Sequence, residues 1–262
     1  TYLKEQGQIY PKQIDYTGWG SEAPGHAVEF IYEPRYSNDS EWGLTGFTVT
    51  TAKRLKEINT VSRASGGDLP WSSYRLSYAT GTDKLETIQR YSSQSAASLS
   101  PIRFEWKDQI VVKYLKPPES RSVLKSVTDE NGGKTSFEYK STLITRGTSY
   151  NSATNDTFLT INKIIREDGN GNQSETTYIY PAPSDFEDYP YNGWHFLSEN
   201  QFRGFRYVKV IGPAGPDNVQ LITETWFHQG NGITAEVDFP GVWVGVTKGK
   251  PFRKRISDTQ GK

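Results

Sequence analysis

The chain has 262 residues, its 30 Lys and Arg are matched by 30 Asp and Glu, and it contains no Cys. Zero net charge gives no global electrostatic case for nucleic acid or an anionic membrane, and the lack of Cys excludes disulfides, thiolate metal sites and cysteine nucleophiles. No run of about 18 apolar residues is present to insert directly into a membrane, and 16 Tyr, 7 Trp, 24 Gly and 14 Pro suit twisted strands and turns, so the class is all-β, built of antiparallel strands and hairpins.

In chain order, Gln8 to Tyr16 places Ile9, Ile14 and Tyr16 around Pro11, as an edge strand or bulge would, and Thr17-Gly18-Trp19-Gly20 turns the chain. His26 to Glu33 puts Val28, Phe30 and Tyr32 on one face and Glu29 and Glu33 on the other, the period of a half-buried sheet. Phe47 to Thr51 is a short Thr-rich strand. Arg54 to Val61 has Leu55 and Ile58 at helical spacing, but the β-branched residues that follow favour strand. Ala64 to Leu69 reads as a loop, and Tyr74–Tyr78 and Leu85–Tyr91 as a hairpin turned by Gly81-Thr82-Asp83. After a polar loop over Ser92 to Ser100, Ile102–Trp106 alternates and Ile110–Leu115 is apolar. Pro117-Pro118-Glu119-Ser120 is the best boundary, because two prolines stiffen the chain and cannot join a ladder.

Leu124 to Tyr139 is the clearest hairpin, with Asp129-Glu130-Asn131-Gly132-Gly133 as its turn. The arrangement returns at Ile164 to Tyr180 around Asp168-Gly169-Asn170-Gly171, and starts again at Ile256-Ser257-Asp258-Thr259-Gln260-Gly261. All three share Asp-x-x-Gly, and the first two place Tyr139 and Tyr178 seven residues after that Gly. A hairpin that begins to turn back just before Lys262, and Thr1 in place of an initiator Met, suggest a piece of a longer repetitive β-protein. Between these hairpins, Ser141 to Asn155 is a connection. Pro181 to Asn192 is the longest irregular segment, and loops of that length tend to be functional or to cover something. Gly204–Ile211 and Val219–His228 form a last hairpin across Gly212–Asp217. The total is about fourteen strands, each roughly 15 to 25 Å long at about 3.3 Å per residue.

Chemistry-bearing residues are scattered. His26, His195 and His228 lack ligand spacing, so surface or structural roles are favoured over a metal or base site assembled by folding. Asp168, Asn170 and Asn172 imitate the start of a calcium loop, but Gln173 stands where its Gly belongs and the twelfth position has no Glu, which favours a hairpin turn. Glu29 with Glu33, or Asp185 with Glu187 and Asp188, could supply an acid/base pair for glycoside hydrolysis, although solvated strand faces and loops account for them. Trp19, Trp71, Tyr189 and Trp194 could stack on sugars, although burial in a β-core is the commoner fate of such aromatics. No G-x-S-x-G, phosphate loop or H-E-x-x-H occurs, so no catalytic, metal-binding or cofactor-binding residue is assigned and no cofactor is expected.

Several segments resemble, in order, the Rhs/YD-repeat shell proteins. The resemblance is greatest to the B component of insecticidal Tc toxin complexes and to SpvB-type amino-terminal regions. They are K-R-L-K-E-I (Lys53–Ile58), Y-R-L-S-Y (Tyr74–Tyr78), K-L-E-T-I (Lys84–Ile88), P-I-R-F-E-W (Pro101–Trp106), the Leu124–Tyr139 hairpin, F-R-G-F-R-Y-V-K-V (Phe202–Val210), T-W-F-H-Q-G (Thr225–Gly230) and G-K-P-F-R (Gly249–Arg253). The resemblance implies an amino-terminal β-region over 1–116, a Pro-rich junction at 117–121 and a repeat segment over 122–262. It further implies a curved or spiralling β-shell that is non-enzymatic and holds a toxic carboxy-terminal effector. The expected partners are the remainder of the shell and its enclosed effector polypeptide, with a channel-forming toxin subunit as a further candidate. Location would be secreted or extracellular. The family's β-propeller, expected between the segments matching Trp106 and Leu124, is missing here, which puts docking on a channel subunit in doubt. A carbohydrate-binding all-β module is the alternative reading, and a glycosidase-like hydrolase the second.

Overall fold

The computed structural model describes residues 1–42, 48–64, 67–92, 100–111, 117–147, 154–180, 193–196, 201–228 and 249–261. The all-β expectation holds: among the described residues there are seventeen strands and no helix. In order they are β1 (Tyr2–Glu5), β2 (Gln8–Pro11), β3 (Gln13–Tyr16), β4 (His26–Trp42), β5 (Thr48–Ala64), β6 (Gly67–Tyr78), β7 (Leu85–Ser92), β8 (Ile102–Val111) and β9 (Glu119–Thr128). There follow β10 (Lys134–Gly147), β11 (Thr154–Glu167), β12 (Gln173–Ile179), β13 (Gly193–Phe196), β14 (Gln201–Phe205), β15 (Tyr207–Ala214), β16 (Gln220–Phe227) and β17 (Pro251–Asp258). They belong to two compact units, Thr1–Trp106 with Val127–Gly133, and Lys107–Ser126 with Lys134–Lys262.

In the first unit β3, β4, β5, β6 and β7 lie side by side in sequence order, each antiparallel to the next. The β1–β2 hairpin turns at Gln6 and Gly7, both at positive φ (50° and 81°), as a tight two-residue hairpin turn requires. Tyr10, only 6% exposed, anchors this hairpin. Its ring meets Tyr32 edge-on at 5.3 Å, and its hydroxyl accepts from Ala52 N at 3.1 Å. In the second unit the order is β9-β10-β11-β12-β15-β16-β17. Here β13 runs parallel to β10 and antiparallel to β14, whereas β10–β11, β11–β12, β12–β15, β15–β16 and β16–β17 are antiparallel.

The repeated Asp-x-x-Gly motif uses the same aspartate cap three times, with the backbone of the Asp168 turn differing by a second positive-φ glycine, Gly169 at 81°. Asp129 Oδ1 accepts from the amides of Asn131 and Gly133, both at 2.9 Å, Gly132 N donates back to Asp129 O at 3.2 Å, and Gly132 sits at φ 87°. Asp168 Oδ1 accepts from Asn170 N at 2.7 Å and Asn172 N at 3.1 Å, with Gly171 at φ 96°. Asp258 Oδ1 accepts from Gln260 N at 2.9 Å, Gly261 N donates to Asp258 O at 3.1 Å, and Gly261 has φ 82°. The aspartate satisfies the amides that the reversing backbone frees, and glycine supplies the left-handed residue.

Several boundaries differ from expectation. Phe47–Thr51 and Arg54–Val61 are not two strands: Thr48 onward is one, β5, because a bulge opposite β4 between Ile31 and Tyr32 keeps the long ladder in step. Gly67, Asp68 and Leu69 are strand rather than loop, paired with Ala64, Arg63 and Ser62. Gly204–Ile211 is broken at Arg206 into β14 and β15, next to Gly204 at φ 87°. The following turn lies at Gly215–Val219, where Gly215 N donates to Val219 O at 2.8 Å and Asn218 N to Gly215 O at 2.9 Å, so Gly212 and Pro213 remain in β15. Ser141–Asn155 is not one connection, since Ser141–Gly147 belong to β10 and Thr154 and Asn155 to β11, paired as Arg146↔Thr154 and Thr145↔Asn155. The Ser92–Ser100 loop apart from its ends, the apolar run beyond Val111, residues 148–153 and the Pro181–Asn192 loop lie outside the described residues.

Full burial is rare. Among the described residues the buried apolar side chains are Tyr10, Ala27, Val61, Val111 and Tyr207, and the buried polar ones Ser72, Ser126, Thr142 and Thr160. Buried Ser72 pairs with half-buried Thr60 at 2.9 Å and buried Thr142 with buried Thr160 at 2.6 Å across neighbouring strands, so the hydroxyls of Ser72, Thr142 and Thr160 are met.

Candidate functional site

The first unit holds an open concavity of about 350 Å³ lined by Tyr16, His26, Thr60, Val61, Trp71 and Ser72. Strand register explains most of the lining. Tyr16 pairs with His26 and His26 with Ser62; two residues along, Val28 pairs with Thr60 and Thr60 with Ser72. Period-two alternation puts these rows on one face. Trp71 belongs by alternation to the opposite face, but the register of β5 and β6 slips between Thr60 and Val61, so that Thr60 faces Ser72 and Val61 faces Pro70. Pro70 has no N–H to give the ladder, and proline within strands is found at such bulges. The bulge re-aims the extra residue, and the Trp71 indole comes to line the same concavity, 65% exposed.

On strands β3 and β4, the rings of Tyr16 and His26 stack at 5.5 Å with 28° between their planes, and Tyr16 is 44% exposed. On β5 and β6, Thr60 Oγ1 and Ser72 Oγ lie 2.9 Å apart, and Ser72 N also donates to Thr60 Oγ1 at 3.1 Å. None of the six lining side chains is a carboxylate, a guanidinium or an ammonium. The surface offers aromatic faces and neutral hydrogen-bonding groups.

A second polar cluster is structural. Pro34 interrupts the β4 ladder, and the register jumps from Pro34↔Lys53 to Asp39↔Thr51, so Arg35 to Asn38 leave the pairing. Their freed amides are met by Asp83 from the β6–β7 turn, which accepts from Tyr36 N at 2.9 Å and Ser37 N at 3.3 Å. Arg35 Nε at 3.2 Å and Arg54 at 3.1 Å complete the grip. Burial raises the Asp83 pKa, but the two backbone amides and Arg35 outweigh it and hold the carboxyl at about 2. Arg54 also pairs with Glu33 at 2.7 Å and lies 4.0 Å over the Tyr78 ring.

The sequence candidates distribute as follows. His26 joins the concavity, whereas His228, in the other unit, rests its ring 4.7 Å from Phe252; the side chain of His195 lies outside the described residues. Asp168, Asn170 and Asn172 form the hairpin turn described above, with the Asp168 carboxylate occupied by backbone amides and by Asn172 Nδ2 at 2.6 Å. Glu33 is taken up by Arg54, and Glu29 stands opposite Gln13 and Asn59. Asp185, Glu187, Asp188 and Tyr189, and the side chain of Trp194, lie outside the described residues. Trp19 and Trp71 are 85% and 65% exposed rather than buried in a β-core, the first in a turn and the second at a bulge. Among the described residues no group of three or more His, Asp or Glu could hold a metal ion. The Asp83 cluster was not anticipated, and Pro34 inside an alternating run was its one local signal.

No family model matches the chain and no curated protein matches it. Among solved structures it is similar to the crystal structure of TcdB2-TccC3-TEV over 85% of this chain, at 13% identity and a TM-score of 0.28, a likeness too distant to argue from. The matched region spans 14% of that chain.

Proposed function

We propose that this chain is a non-enzymatic structural segment of an Rhs/Tc-type bacterial toxin, contributing strands to a β-shell that encloses a cytotoxic carboxy-terminal effector. The observation that carries the reading is the pairing of a reiterated hairpin with scarce burial. The same aspartate-capped Asp-x-x-Gly motif recurs at Asp129, Asp168 and Asp258, while full burial among described apolar side chains stops at five. Strands laid next to next with half-covered faces are suited to a wall, where neighbouring strands and enclosed chain supply the missing cover. The collinear segments from Lys53 to Arg253 supply the toxin family. On this reading residues 117–121 join an amino-terminal region to the repeat segment, the partners are the rest of the shell and its effector, and the assembly is secreted.

The test is the size of the native protein in the producing cell, probed with an antibody against these residues. A band far above the chain's own 29.6 kDa, co-purifying with a polypeptide that resists protease until the complex is denatured, is expected. A band near 30 kDa from a monomer with no enclosed polypeptide overturns the proposal.

A further inference from the structure

We propose that the concavity around Trp71 is a binding site for a neutral saccharide. This goes beyond the shell reading and is independent of it. Three features select the ligand class. First, Trp71 is held out at a bulge and 65% exposed, which leaves a large apolar face wet unless something stacks on it. A pyranose ring carries a patch of C–H groups that matches such a face, with hydroxyls around its edge. Second, the groups beside the indole are hydroxyls and an imidazole: Thr60, Ser72, His26 and the phenol of Tyr16. Tyr16 and His26 can exchange hydrogen bonds with sugar hydroxyls in either direction, while Thr60 and Ser72, already bonded to each other, form the polar floor beside them. Third, no lining side chain is a carboxylate, guanidinium or ammonium, so no fixed charge there favours a phosphate, a carboxylate or an amine over a neutral ligand.

Size and openness agree with these features. A volume of about 350 Å³ is at the small end of ligand sites, which run from about 300 to 1,000 Å³. That suits a mono- or disaccharide unit of a longer glycan lying across an open surface. The bulge has a role here that sheet-building alone does not require: a regular β6 would send the Trp71 side chain to the opposite face.

The whole chain is titrated with cellohexaose, chitohexaose and mannohexaose, followed by intrinsic tryptophan fluorescence and by calorimetry, and is then applied to an array of neutral glycans. Saturable binding of at least one glycan is expected, with a change in tryptophan emission. Trp71→Ala is expected to weaken it by about tenfold or more and to abolish the emission change, while Trp19→Ala, at a still more exposed tryptophan outside the site, leaves affinity as it was. Because Trp71 is mostly exposed, the variant should melt with the parent. If it melts lower, Trp71→Phe, which keeps a smaller ring, is expected to bind with intermediate affinity. No glycan bound in either format overturns the proposal, and so does unchanged affinity in both Trp71 variants. Saturable binding of an apolar peptide at Trp71, with no glycan bound, would reassign the surface to protein contact and overturn it as well.

Discussion

At the scale of single residues, Asp83 shows how one carboxylate replaces several ladder bonds. Its partners Arg35, Tyr36 and Ser37 stand 46 to 48 positions earlier in the chain, so nothing local in Gly81-Thr82-Asp83 announces more than a turn. Asp83→Asn should destabilise the first unit by about 1–3 kcal/mol, the range for losing hydrogen bonds made to a charged group, read as a lower urea midpoint. The pH dependence has a definite sign. The folded carboxyl sits at about 2, below the unfolded value of about 3.9. Its contribution is therefore complete above pH about 4 and is lost as pH falls towards 2. Acid titration of stability should lose that portion in Asp83→Asn, and identical acid profiles for the two proteins would contradict the assignment. Tyrosines behave in the opposite sense. Burial raises the pKa of Tyr32, Tyr78, Tyr139 and Tyr180. It also raises that of Tyr207, where the bond to Glu224 at 2.5 Å adds to the rise. Stability from these groups is present below pH about 10 and falls as pH rises past it. Spectrophotometric titration of the native protein should show a delayed fraction of the 16 Tyr that ionises normally once urea unfolds the chain.

At the scale of elements, the Asp-x-x-Gly hairpins were the most legible feature, because everything that makes them lies within five consecutive residues. Gly171→Ala should cost about 1 kcal/mol by forcing a Cβ into the left-handed region, even though the space around it is empty. Gly133→Ala tests a different cause: a Cβ there would meet Asp129 Oδ2 at 2.6 Å, so the carboxylate must rotate and release the amides it holds. Urea midpoints for Gly133→Ala with and without Asp129→Ala separate the two effects, since the clash disappears once Asp129 is gone. The β5–β6 bulge was not legible in the same way. Alternation over Tyr74 to Tyr78 announces β6, but the face on which Trp71 falls depends on a one-residue slip against β5, and register is fixed by pairing rather than by the strand's own sequence. Likewise the split at Arg206 goes with β14 pairing to β13 rather than to the partners of β15.

At the scale of the whole molecule, sheets that end in a free edge need protection from indiscriminate pairing. Among the described residues β17 has β16 on one side and no strand on the other, and Arg253, Lys254 and Arg255 along it are exposed. Two of these cations also hold β16, Arg253 over the Trp226 ring at 4.7 Å and Arg255 to Glu224 at 3.4 Å, so Lys254 is the cleaner probe. Lys254→Val should raise concentration-dependent association, measured by light scattering at micromolar protein, with little change in the unfolding midpoint of dilute samples. The all-β class was legible from composition because aromatic and β-branched side chains fit a pleated surface; the order of strands follows from how few residues separate most of them. That order bears on how the chain comes together in time. Most strands add to the one synthesised just before, so each can zip on as it leaves the ribosome, at small loop-closure cost. The two longest joins between neighbours in this order are β12 to β15, across residues 180–206, and β16 to β17, across residues 228–250. A stalled or force-extended chain should therefore pause twice, once before Tyr207 and again before Pro251.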